Sequence, residues 1–131
     1  MATTNKISDT IEHELLHWPG VTAGTHRFGG REFRVGKREI GHLHGDHLAD
    51  LPFSRAIRDE LVSRGEASIH HHLPDSGWVS FPIRDERDIP PLLELFRRNY
   101  KRLYALMQHS GSGIASPAVD SEPYSIDKES P

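Results

Sequence analysis

Tight turns at short intervals constrain this chain more than any other feature. Pro19-Gly20, Gly29-Gly30 and Gly36-Lys37 divide residues 19–43 into short segments. Val21 to Phe28 reads as a strand, and Arg31 to Val35 (REFRV) alternates polar and apolar residues as a half-buried strand does. Arg38 to Leu43 (REIGHL) follows the third turn. Links this short join antiparallel neighbours, because a parallel pair needs a crossover of roughly a dozen residues or more.

Helical spacing brackets these strands. Ile7, Ile11, Leu15 and Trp18 recur at helical intervals between about Lys6 and His17. Pro52 is read as opening a second helix over about Ser54 to Arg64, with Ser54 as N-cap, Ile57, Leu61 and Val62 on its apolar face, and Gly65 as its stop. Strands Ala67 to Leu73 and Gly77 to Ile83 come next, joined by Pro74-Asp75-Ser76. The last helix starts near Asp88 with Pro90 and Pro91 in its first turn, and its stripe runs from Leu92 to Met107. The expected fold class is α+β: an antiparallel five-stranded sheet with helices packed on it, in the order α-β-β-β-α-β-β-α.

At 131 residues the chain suits one domain with one modest core. Its 35% hydrophobic content is low, and part of the deficit sits in SGSGIASPAVDSEPYSIDKESP at the end. The expected division is an ordered domain over 1–108 and a disordered acidic C-terminal tail over 109–131. From Ser110 onward four acidic residues meet one basic residue, which gives −3, and the whole chain also carries −3. The body is therefore neutral, with 15 acidic residues (19 less 4) against 15 basic (16 less 1). Neutrality argues against a partner bound by phosphate neutralisation, so no nucleic acid is expected. The absence of cysteine excludes disulfide and thiolate chemistry. No secretory signal pattern is visible, and no stretch approaches the roughly 18 apolar residues of a membrane span. A soluble, cytoplasmic protein with no membrane partner is expected; nothing in the sequence fixes its oligomeric state.

The chemistry is concentrated in histidines at 42, 44, 47 and 70–72. If REIGHLH is a regular strand, Ile40, His42 and His44 share one face while Glu39 and Leu43 share the other. His42 and His44 then lie about 7 Å apart, and the Gly45-Asp46 turn swings His47 back toward them. In the later strand His70 and His72 share a face and His71 opposes them. Three readings stay open. Strand histidines are often only solvated. A metal site could use His42, His44, and His47 or a later histidine, with Asp46 as a fourth ligand or as support, and an H-x-H pair on a strand suits zinc, iron or copper. A metal-free site could use imidazoles as general base and hydrogen-bond donors to a small-molecule ligand. Glu39 beside Arg38 reads most simply as a solvated ion pair, and Trp78 and Phe81 as core residues, although either aromatic could stack on a planar ligand.

KREIGHLHGDH, followed by HHHLPDSGWVSF and by a helix containing RRNY, resembles the luciferase-domain family. The upstream HWPGVTAGTHRFGGREFRVG is similar to its small bacterial members, so that likeness spans about residues 7–104. Likeness to the fungal luciferases is confined to about residues 37–104. Those enzymes oxidise a hydroxylated styryl-pyrone with molecular oxygen and use no organic cofactor. The resemblance implies that His42, His44, His47 and one of His71 or His72 line the site and carry the chemistry; Glu39, Asp46, Trp78 and Phe81 are the residues expected around the ligand. The fungal enzymes also carry an N-terminal membrane-anchoring stretch that has no counterpart here. The GWVSF strand and the helix after it resemble, in addition, the small double-wing domains suggested to bind DNA, a partner at odds with the neutral body.

Overall fold

Helix α1 (Lys6–Leu15) buries Ile7, Ile11 and Leu15, the positions its spacing predicts. Gly20, with φ +84°, then turns the chain into strand β1 (Val21–His26). Strands β2 (Gly30–Val35) and β3 (Arg38–His44) form a hairpin in which Val35 faces Arg38 across two loop residues. Gly36 takes φ +64°, the left-handed geometry a two-residue hairpin loop needs. The computed structural model describes residues 6–26, 29–70 and 72–109. The tail expected over 109–131 therefore lies, beyond His109, outside the described residues, as does the end of the strand expected to reach Phe28.

The sheet has six strands, not five. The additional one, β4 (Leu48–Pro52), follows a three-residue Gly45-Asp46-His47 turn and pairs with β3. Reading Pro52 as a helix opener concealed it; Pro52 instead closes β4, where a missing N–H costs least. Helix α2 (Arg55–Ser63) then begins at Ser54, whose Oγ accepts the Ile57 amide at 3.2 Å. Strand β5 is only Ser68–Ile69, shorter than the expected Ala67 to Leu73, because the chain turns at His70, whose carbonyl accepts the Leu73 amide. Strand β6 (Trp78–Pro82), a 3₁₀ turn (Glu86–Asp88) and helix α3 (Ile89–His109) complete the chain. The order is thus α-β-β-β-β-α-β-β-α, and the antiparallel sheet runs β1-β2-β3-β4-β6-β5.

The helices pack on one face of this sheet. Helix α3 lies across β2, β3 and β4, and α2 lies against β5 and β6. Arg98 of α3 and Glu60 of α2 form an ion pair between these helices at 3.2 Å. The core, with Phe33, Ile40, Leu43, Leu51, Val79, Leu92 and Phe96 fully buried, fills the space between sheet and helices. The side chains of alternate strand positions therefore point to the face that the helices leave open.

One irregularity positions the site. Phe33 faces Gly41 but Arg34 faces Glu39, so Ile40 is an extra, bulged residue in β3. Its carbonyl, diverted from the ladder, accepts the buried Asn99 side-chain amide at 2.8 Å. Gly41 is required beside it, since a Cβ there would lie 2.9 Å from both Phe96 Cε1 and the Asp50 carbonyl oxygen. The bulge shifts the alternation by one residue upstream. Ile40 goes into the core, and Glu39 joins the face of His42 rather than that of Leu43. The regular-strand expectation for these residues is thereby corrected.

Candidate functional site

A row of polar residues crosses the open face in register. Glu32 faces His42, His42 faces Asp50, Asp50 faces Ser80, and Ser80 faces Ser68, so the row spans five strands. Most residues on a face without helices are solvated, yet here Asp50 is 3% exposed, His42 7% and Ser80 6%. The segment after β5 covers them. Its His70 is 9% exposed and packs beside Trp78, with ring centroids 6.0 Å apart.

Asp50 is the centre of the cluster. Its Oδ1 accepts the Ser80 hydroxyl at 2.6 Å, and its Oδ2 accepts His44 Nε2 at 3.0 Å. His42 Nε2 lies 3.3 Å from the same Oδ2, and His70 Nε2 lies 3.6 Å from it. Burial opposes the Asp50 charge, but contacts from His42 and Ser80, the field of His70 and the His44 hydrogen bond outweigh it. The carboxyl group stays well below the usual carboxylate range.

His42 lies between two carboxylates. Its Nδ1–H donates to Glu39 Oε2 at 2.6 Å, a contact the bulge makes available, while Nε2 faces Asp50. Burial pushes its pKa down, but the contacts with Asp50 and Glu39 prevail and raise it from 6.5 to about 9. In this geometry His42 is an imidazolium at neutral pH and not a base. His44 differs from it: its side chain is 31% exposed, and Asp50 holds its Nε2. The two rings meet edge to face at 4.8 Å, and the His42 ring lies 5.5 Å from the half-buried Trp78.

The covering segment is held by backbone contacts. Arg58 of α2 donates to the carbonyls of Pro74 and Ser76 at 2.8 and 2.7 Å, and Gly77 O accepts the Phe53 amide at 3.0 Å. Gly77 sits so close to Phe53 that a Cβ would fall 1.8 Å from the Phe53 carbonyl oxygen. The His72 amide donates to His70 Nδ1 at 3.2 Å. Because that nitrogen accepts, the proton of the neutral ring is on Nε2, facing Asp50.

The expected site residues divide accordingly. The structure brings His42, His44, Glu39 and Trp78 together, and it adds His70 in preference to the exposed His72; His71 lies outside the described residues. His47 is exposed in the β3–β4 turn and does not join the cluster. Asp46 points elsewhere: its Oδ1 accepts the Ser8 amide at 2.8 Å, so it caps the first turn of α1. Phe81 faces Ala49 on the core side of the sheet, opposite the histidines. Asp50 and Ser80, the residues that organise the site, escaped sequence reasoning. The alternation in Leu48-Ala49-Asp50-Leu51 carried the signal, since a three-residue turn after His44 puts Asp50 opposite His42.

His42, His44 and Asp50 each offer one donor atom, a ring nitrogen or a carboxylate oxygen, and these atoms lie within 4.8 Å of one another and could hold a metal ion. Comparison with known families now identifies the fold unit. Residues 37–99 match the model of the luciferase domain. Over this stretch, just under half of the 131 residues, the chain is similar to the luciferase domain family. The matched stretch runs from Lys37, just before β3, to Asn99 and contains every residue of the Asp50 cluster. Neither a curated protein nor a solved structure matches the chain. No helix among the described residues is long and apolar enough to cross a membrane.

Proposed function

We propose that this luciferase-domain-like protein binds a planar, hydroxylated small molecule against its open sheet face and oxidises it with molecular oxygen, without an organic cofactor. One observation carries the reading: three imidazoles converge on the buried Asp50 carboxylate beside the half-buried Trp78. Trp78 is the stacking surface for the ligand ring. Asp50 orients His44 through Nε2, and the partly exposed His44 imidazole is the base that removes a phenol or enol proton. The resulting anion is electron-rich enough to meet oxygen. His42, already an imidazolium, supplies positive charge near that anion.

The test is direct binding and oxygen uptake with a hydroxylated styryl-pyrone and with simple catechols. Binding weakened about tenfold or more by Trp78→Ala, a loss comparable to ~1–1.5 kcal/mol of stacking, is expected, together with oxygen uptake abolished by His44→Ala. Absence of binding by either compound class refutes the reading. Binding without oxygen uptake leaves a non-catalytic ligand-binding module, the reading next in line.

A further inference from the structure

We infer that His42, His44 and Asp50 bind one divalent transition metal, whose remaining coordination positions take an oxygen-donor ligand. The inference rests on the reading above, since it concerns the same face and names what activates the ligand there.

Geometry is the first ground. Donors around a tetrahedral or octahedral ion with bonds of about 2.0–2.2 Å stand roughly 3.0–3.5 Å apart. The two imidazole nitrogens lie 3.3 and 3.0 Å from Asp50 Oδ2. Hydrogen bonding alone accounts poorly for this crowding, because three imidazole nitrogens gather within 3.6 Å of one carboxylate oxygen.

The surroundings are the second ground. A metal-bound imidazole characteristically donates its remote N–H to a carboxylate, and His42 Nδ1 does so to Glu39 at 2.6 Å. A ligating carboxylate is itself held by a hydrogen bond, and Ser80 holds the far oxygen of Asp50 at 2.6 Å. His70 is separated from the donor set by its tautomer: Nδ1 accepts the His72 amide, so Nε2 keeps its proton and stays a hydrogen-bond donor over Asp50. Two imidazoles and one carboxylate remain, a set that leaves positions for a substrate oxygen and for a small co-ligand and is used by non-haem iron centres. A cation there displaces the protons on the His42 and His44 nitrogens that face Asp50, and takes over from those two imidazoles the tasks of acidifying the ligand hydroxyl and balancing its charge.

The experiment uses the untagged full chain stripped with EDTA. Co²⁺ is titrated while its d–d absorption is followed, and Zn²⁺ is then added in competition. One equivalent is expected to bind. His44→Ala, which alters a half-exposed side chain and should leave the circular dichroism unchanged, weakens binding by on the order of 100-fold, and Ser80→Ala by about tenfold. His17→Gln breaks the exposed contact of His17, in the turn after α1, with His13 and leaves binding unchanged. Absence of the Co²⁺ band, or affinity unaltered by His44→Ala, overturns the inference. Oxygen uptake by the metal-free protein with no Co²⁺ binding removes the metal and keeps the oxidation. Stoichiometric Co²⁺ without uptake of any pyrone or catechol keeps the metal and removes the oxidation.

Discussion

Removing the Glu39 charge should shift the pH at which this domain loses stability. His42 titrates at about 9 in the folded chain, against 6.5 for an ordinary histidine. A difference of 2.5 units corresponds to about 3 kcal/mol, because each unit is about 1.4 kcal/mol. The sign follows from which state holds the proton. Between pH 6.5 and 9 the folded chain binds it and the unfolded chain does not, so stability falls as pH rises. The contribution is complete below pH 6.5 and gone above about 9. Glu39→Gln keeps the hydrogen-bond acceptor but removes one of the two charges holding the imidazolium. The His42 pKa should fall by about 1 unit, and the stability lost across the window by about 1.4 kcal/mol. His42 titration by NMR and urea unfolding at a series of pH values, both in EDTA, measure the two quantities. The difference between native chain and variant cancels other titrating groups. A native His42 that titrates near 6.5, or stability that is flat from pH 7 to 9.5, refutes the reasoning.

Other perturbations follow from single contacts. Arg58→Ala removes the donor to the Pro74 and Ser76 carbonyls, so amide exchange should accelerate across residues 72–77 while β3 and β4 keep their protection, as read by hydrogen-exchange mass spectrometry. Gly77→Ala forces backbone apart at Phe53 and should lower the melting temperature by more than any exposed Gly→Ala change, a loss of roughly 2 kcal/mol or more. Asn99→Ala strands the Ile40 carbonyl in the core and should cost about 1–3 kcal/mol in urea unfolding. Asp50→Leu leaves the His42 charge buried without its partner and should cost about 3–5 kcal/mol, whereas the triple change Asp50→Leu, His42→Leu and Ser80→Ala should recover most of that.

The elements with strong local signals were legible in the sequence. Helix spacing located α1 and α3, Ser54 and Gly65 bounded α2, and the Gly36-Lys37 turn fixed the β2–β3 hairpin. Elements set by tertiary contacts were not. β4 is five residues with a proline at its end, and pairing on both sides makes it a strand more than its composition does. The bulge at Ile40 depends on Asn99, 59 residues away, so no local pattern announces that Glu39 faces His42. The site was legible as histidines but not as a cluster. His42 and His44 were found because an H-x-H pair on a strand must share a face. His70 was passed over in favour of its neighbours because a strand was expected where the chain turns. Asp50 resembles any surface carboxylate until β4 is recognised.

The placement of this cluster bears on whether it stabilises the fold or serves another end. An antiparallel sheet can leave one face to water at little cost, so nothing in the architecture obliges charged groups on that face to be buried. Here they are buried nonetheless, by a segment that needs Gly77 against Phe53 and Arg58 on two carbonyls to lie where it does. Taking Asp50 and the His42 imidazolium out of water carries a desolvation penalty that their attraction offsets only in part, and well-packed apolar residues in such positions are often as stable or more so. The core on the opposite face is continuous without these residues. A structural role therefore predicts that the triple apolar variant is as unstable as Asp50→Leu alone, since the network itself would be what the fold needs. A functional role predicts recovery of stability together with loss of metal and ligand binding, and the geometry around Asp50 favours that second outcome.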